Sequence, residues 1–226
     1  PVWRGERAQG GRFRESRHFD ADIVSEQIGI ENVAESVALA VRCARQWDSS
    51  VRFGVSHTDL HRRVLEALGV PSADDLYGRA VRFMRRRSRD VGRDELVQGL
   101  INAGLSLDIS DGLAHFITLG SVHEAAIFLE TIGADSDALD ELDELTAVLA
   151  RRGVSSSQVV TDFSMTGIGY YDGVVFTQLM SSIAESPLIE GGSYKFLGHD
   201  QPLLGVGFSL DLDRIAALLC VREPSR

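Results

Sequence analysis

Three stretches of this chain carry residue types that can do chemistry. The first runs from Met165 to Phe176, where Tyr170 and Tyr171 stand side by side among Gly167, Gly169 and Gly173. Glycine permits backbone paths, positive φ included, that other residues resist, so the chain here can pass close to a ligand. In an extended segment the two phenols point to opposite faces, one to pack and one to meet a pocket, and Val174, Val175 and Phe176 read as a core strand. A glycine-kinked strand with two core tyrosines is the plain alternative.

The second stretch is Pro1 to Val24. From Arg12 it alternates, with Arg12, Arg14, Ser16, His18, Asp20 and Asp22 on one face and Phe13, Glu15, Arg17, Phe19, Ala21 and Ile23 on the other. Gln9-Gly10-Gly11 supplies a turn, so Val2 to Arg4 and Arg12 to Val24 are expected to pair as an antiparallel hairpin. Arginines at its loop edges can clamp a phosphate or carboxylate through bidentate contacts; a solvated face of mixed charge is the plain alternative. The third stretch places Leu204, Val206, Phe208 and Leu210 on one strand face and leaves Gly205, Gly207 and Ser209 nearly bare on the other. A flat ligand such as adenine fits a bare face, and a helix over 211–219 carries Arg214 beside it.

Other candidates are weaker. His57 and His61 have a metal-ligand spacing but no evident third ligand, so they read as surface or capping histidines. The run Asp135, Asp137, Asp140, Glu141, Asp143 and Glu144 lacks the glycine and terminal glutamate of a calcium loop, and no metal is assigned. Arg85, Arg86, Arg87 and Arg89 read as a solvated helix face. A formal charge of −10 over 226 residues argues against nucleic acid as the main partner. No apolar run suits a bilayer and no signal peptide is evident, so a soluble cytoplasmic protein is expected.

Several elements must hold these stretches. Glu31 to Trp47 has helical apolar spacing at Val33, Val37, Ala40, Val41 and Ala44. Val51 to Val55 reads as a strand, and Ser56 with Asp59 as a capping box opening a helix that Gly69 closes. From Ser72 to Gly133 a run of helices is expected, broken at Gly92, Gly104, Gly112 and Gly120. Leu139, Leu142, Leu145 and Leu149 give the acidic run a buried stripe, and Gln158 to Phe163 reads as a strand.

The three stretches together resemble the catalytic domain of histidyl-tRNA synthetases, a class II family. Arg4, Glu6, Arg7, Gln9, Gly11, Arg12, Arg14 and Glu15 resemble its motif 2, about residues 1–24. Gly167, Tyr170, Tyr171, Gly173 and Phe176 are similar to its histidine-binding loop, and Gly191, Gly192 and Tyr194 to its Gly-Gly-Arg-Tyr-Asp segment. Gly205 to Arg214 resembles motif 3, about residues 203–219. The resemblance implies an α+β fold, an antiparallel sheet flanked by helices with a helical insertion near 72–133, in a single domain. It also implies that Asp22, His18, Tyr170, Tyr171, Tyr194 and Thr166 surround histidine, while Arg4, Glu6, Arg12, Arg14 and Arg214 suit ATP if ATP is retained.

The departures point to a function. Thr166 stands where the family has its catalytic arginine, Gly169 replaces the aspartate, and Ser193 and Lys195 replace the arginine and aspartate beside Tyr194. His18 and Asp22 stand where the family has a glutamine and a glutamate, the second a conservative change. By the resemblance the histidine-contacting tyrosines Tyr171 and Tyr194 and an acid at Asp22 are kept, while cations used for adenylation are lost. That is the pattern of the synthetase-like regulatory subunit of ATP phosphoribosyltransferase, which resemblance implies would have no catalytic residue, take L-histidine as effector rather than a cofactor, and join the catalytic subunit as a homodimer or hetero-oligomer. Neither tRNA nor membrane is then expected as a partner. The alternative is the catalytic core of a divergent histidyl-tRNA synthetase, with motif 1 and the anticodon-binding domain outside this sequence, which opens at Pro1 inside motif 2.

Overall fold

The protein is described from a computed structural model, which covers residues 2–3, 15–86, 91–135, 137–166, 170–179, 187–196 and 203–222. In chain order the elements are β1 (Val2–Trp3), β2 (Glu15–Ser16), β3 (His18–Ser25), α1 (Ile30–Ala44), β4 (Phe53–His57), α2 (Thr58–Ala67), α3 (Asp75–Arg86), α4 (Arg93–Asn102), α5 (Leu107–Ile117), α6 (Val122–Ile132), α7 (Asp137–Arg151), β5 (Val159–Thr161), β6 (Tyr171–Gln178), β7 (Ile189–Phe196), β8 (Leu203–Asp211) and α8 (Leu212–Arg222). The expected α+β class holds. β1 and β2 pair antiparallel, Val2 opposite Ser16 and Trp3 opposite Glu15, which is the near end of the anticipated hairpin; the rest of its expected second strand, His18–Ser25, pairs with β8 instead.

The main sheet has the order β3-β8-β7-β6-β4-β5. Its pairs are antiparallel except β4 with β5, which run parallel. The sheet is therefore mixed, a refinement of the antiparallel expectation. The parallel pair is reached by the crossover that contains α2 to α7, and a parallel return needs such a long connection.

One face of the sheet is the core. Phe53, Val55, Val174, Phe176, Val206, Phe208 and Leu210 are buried there with the apolar stripe of α1 (Val33, Val37, Ala40, Val41, Ala44) and Leu139, Leu142, Leu145 and Leu149 of α7. Each buried Val, Leu or Phe side chain of this set contributes roughly 1.5–3 kcal/mol, and those on the strands fix the register because a one-residue slip would turn them outward.

Local details correct several sequence expectations. The first residue of β4 is Phe53 rather than Val51. α2 is capped by His57, whose Nδ1 accepts from the Asp59 N–H at 3.2 Å, in place of the Ser56–Asp59 box. An imidazole nitrogen supplies the acceptor that a hydroxyl usually provides. Gly69 follows the last turn of α2 at φ 89°, as a helix stop favours. Gly112 does not break a helix; it lies inside α5, against Leu68. His61 is not on the surface: it is 2 % exposed and its Nε2 meets the Phe163 carbonyl oxygen at 2.7 Å. His57 and His61 therefore serve separate structural contacts. No helix among the described residues is long and apolar enough to cross a membrane.

Candidate functional site

The face of the sheet opposite the helices is where the chemistry-bearing side chains meet. Residues opposite one another in adjacent strands share a face. Asp22 of β3 lies opposite Gly207 of β8, and Asp20 opposite Ser209. Across β8, Gly205 pairs with Tyr194 of β7, Gly207 with Gly192, and Ser209 with Glu190. Tyr194 in turn opposes Tyr171 of β6. The register thus lays His18, Asp20, Asp22, Glu190, Tyr194 and Tyr171 on one surface, with β8 as a nearly bare strip between them.

The central contact is a hydrogen bond from the Tyr194 hydroxyl to Asp22 Oδ1, at 2.6 Å. That length is typical of a hydroxyl donating to a carboxylate. Burial, and then the Asp22 partner, push the Tyr194 phenol well above the usual tyrosine range. Tyr171 is raised further, first by burial and then by Tyr170, with Glu190 and Asp22 adding negative potential. Both phenols are therefore held as neutral donors. His18 Nδ1 lies 2.8 Å from Ser209 Oγ at the end of the same strip.

Tyr170 and Tyr171 do not point to opposite faces as the alternation predicts. Tyr170 precedes β6 and its ring sits 4.3 Å, centroid to centroid, from Tyr171 and 6.4 Å edge-on from Tyr194. Three rings thus cluster, with Tyr170 outermost at 60 % exposed. Two residues on, Gly173 adopts φ 107°, the β6–β7 register shifts between Tyr171 and Val175, and the Gly173 N–H donates to Thr58 Oγ1 at 3.0 Å. A residue with a Cβ resists that φ, so Gly173 makes the bulge and Thr58 ties it to the start of α2.

The remaining site residues are dispersed. Thr166 is half-buried, directly after Met165, whose sulfur packs over Gly54. Gly167 and Gly169 of the same loop lie outside the described residues, as do Arg4, Glu6, Arg12 and Arg14. Arg214 opens α8: its N–H donates to Asp211 Oδ1 at 3.1 Å and its Nη1 to the Pro187 carbonyl at 2.8 Å, which braces the entry of β7. Ser193 faces the core side, beside Gly173, and Lys195 pairs with Asp172.

The bare strip on β8 is not empty, which modifies the expectation of a surface for adenine. Tyr194 lies over Gly205 and Asp22 over Gly207. Of two further acids on this face, the strand alternation places Asp20 beside Asp22 without giving it a role, and Glu190 is not singled out from the sequence. Strand parity was the available signal, since Asp20 alternates with Asp22 and Glu190 stands four residues before Tyr194. The resulting surface is made of carboxylates and neutral phenols, an environment that suits a cationic group flanked by an aromatic wall.

The family model described as histidyl-tRNA synthetase matches residues 1–215. Among curated relatives, a histidine–tRNA ligase of Haloquadratum walsbyi is 29% identical over 233 residues, covering 98% of this chain and 52% of the relative. One of Rhodopirellula baltica is 25% identical over 229 residues, covering 97% and 51%. The chain thus spans about half the length of the curated relatives it matches. Among solved structures, a histidyl-tRNA synthetase from Nostoc superposes with TM-score 0.80 at 19% identity, covering 93% of this chain and 52% of that one. An ATP phosphoribosyltransferase regulatory subunit/histidyl-tRNA synthetase from Bacillus halodurans gives 0.72 at 22%, covering 94% and 55%. An ATP phosphoribosyl transferase complex from Thermotoga maritima gives 0.63 at 17%, covering 90% and 69%. At these identities the structures speak for the fold.

Proposed function

Since the chain belongs to the histidyl-tRNA synthetase family, we propose that it keeps the family's histidine pocket without its chemistry and serves as the histidine-binding regulatory subunit of ATP phosphoribosyltransferase. The observation that carries this reading is Thr166, a neutral side chain at the position where the resemblance expects an arginine, in a chain that still forms the Tyr194–Asp22 hydrogen bond. Adenylation concentrates negative charge on the α-phosphate, and losing one preorganised positive group costs on the order of 100- to 1000-fold in rate. Threonine offers a hydroxyl and no charge. Ser193, in place of a second arginine, lies beside Gly173 toward the core side of the sheet.

The pocket that remains suits histidine. Asp22, Asp20 and Glu190 favour its ammonium group and a protonated imidazole, and Tyr170, Tyr171 and Tyr194 offer ring faces and hydroxyl donors. His18 and Thr166 flank that space in the sequence pattern of the family. The likeness to the Bacillus halodurans structure, named as a regulatory subunit/histidyl-tRNA synthetase, and to the Thermotoga maritima complex supports the phosphoribosyltransferase catalytic subunit as the partner in this reading. In this reading the chain acts in the cytoplasm without tRNA, in a homodimer or a hetero-oligomer, and histidine binding is coupled reciprocally to the state of the complex. The test is phosphoribosyltransferase turnover by the catalytic subunit with and without the full-length protein. Histidine inhibition that requires the added protein supports the proposal, and histidine-insensitive turnover in a demonstrated complex refutes it.

A second reading is favoured by a specific observation. Arg4, Glu6, Arg12, Arg14 and Arg214 retain the residue types expected to hold ATP, and the curated relatives cited are histidine–tRNA ligases. In this alternative the chain is the core of a divergent synthetase. Against it stand Thr166 and the occupation of the Gly205–Gly207 strip by Tyr194 and Asp22.

A further inference from the structure

We propose that Gly205, with Gly207 and Gly192 beside it, is a positioning residue whose missing side chain opens the slot through which Tyr194 reaches Asp22. Tyr194 is on β7 and Asp22 on β3, and β8 runs between those strands. Two strands separated by a third lie about 9–10 Å apart, so a bond between their side chains must pass directly over the intervening backbone. Any side chain on that face of β8 at this level would stand in the way.

The surroundings of the three glycines show that space, rather than backbone freedom, is what they supply. None of Gly192, Gly205 and Gly207 is among the positive-φ residues, so alanine could adopt each backbone conformation. What excludes it is contact. A Cβ on Gly205 would come closer than 3.0 Å to the ring and hydroxyl of Tyr194; one on Gly207 would collide with the Asp22 carboxylate; one on Gly192 would meet the Tyr171 ring at 2.9 Å. Each of the three glycines receives one side chain of the site, in consecutive register across β7 and β8. At Gly207 and Gly192 backbone oxygens also crowd the position, Ala21 O and Val174 O. At Gly205 the three nearest atoms all belong to the Tyr194 side chain, so a substitution there meets that side chain first.

This assignment deepens the proposed histidine site and rests on that reading only for its ligand-binding consequence. The test is a double-mutant cycle of Gly205→Ala and Tyr194→Ala by denaturant unfolding, with alkaline absorbance titration of the phenols and histidine calorimetry on the full-length protein. Gly205→Ala alone is expected to destabilise, to let one of the four tyrosines ionise at lower pH than in the parent, and to weaken histidine binding by about fivefold or more. In the Tyr194→Ala background, where nothing fills the slot, most of the destabilisation should vanish. Additive effects in the cycle, or an unchanged phenol titration in Gly205→Ala, overturn the proposal. If Gly205→Ala fails to fold, the double variant decides: recovered folding supports the slot, and an unfolded double variant refutes it. Absence of histidine binding by the parent would defeat the functional reading while the cycle and the titration still judge the slot.

Discussion

Tyr194→Phe removes one oxygen and leaves the ring over Gly205, so it isolates the hydroxyl that donates to Asp22 at 2.6 Å. A hydrogen bond to a charged group is worth about 1.5–3 kcal/mol when its partners are shielded. Asp22 is exposed, so water can replace the lost donor, and the cost should fall to about 1 kcal/mol or less. In a chain of this size that corresponds to a fall in Tm of roughly 2–4 °C by differential scanning calorimetry. The substitution should also change the response to alkali. The folded state holds the Tyr194 phenol protonated above the pKa near 10 of an unfolded tyrosine, so its contribution is complete below about pH 10 and is lost as pH rises beyond that. The phenylalanine variant should lose less stability than the parent between about pH 10 and pH 12. If the hydroxyl aims Asp22 at the ligand, histidine affinity should drop about fivefold, the equivalent of about 1 kcal/mol. A stability loss above about 3 kcal/mol would mean that the hydroxyl is sealed from water, and an identical alkaline profile would mean that the pair does not form.

Other substitutions probe the supports of the site. Tyr171→Ala removes the ring between Tyr170 and Gly192 and should weaken histidine binding at least tenfold by calorimetry while leaving the far-UV spectrum unchanged. Thr166→Arg should not by itself restore adenylation, because Ser193 remains neutral; robust ATP–pyrophosphate exchange in that variant would refute the account of the lost charge. His57→Ala deletes the acceptor that caps α2 and the 3.2 Å contact with Glu141, and a loss of about 1–2 kcal/mol in denaturant unfolding is expected.

Much of the fold was readable because its signals are local. The apolar spacing of α1 and α7 and the β8 alternation each follow from neighbouring residues, and the structure places them as expected; of the hairpin expected from residues 2–4 and 12–24, only the pairing of Val2–Trp3 with Glu15–Ser16 forms among the described residues. What could not be read depends on partners distant in sequence. The parallel pairing of β4 with β5 joins segments separated by the whole helical region. The irregularity of β6 that follows the Tyr170–Tyr171 pair is tied at Gly173 to Thr58, 115 residues earlier. Asp20 and Glu190 gained their place in the site only once β3, β8 and β7 were set in register. The glycines of β8 were correctly seen as a bare face, but what covers them is set by the strands on either side.

The most direct measurement is histidine-dependent ATP–pyrophosphate exchange on the full-length protein, run beside histidine calorimetry on the same folded sample. A histidine-binding protein without adenylation chemistry should show saturable binding and no exchange above background. Exchange at a rate typical of a synthetase would contradict the central claim and make the chain the core of an active enzyme.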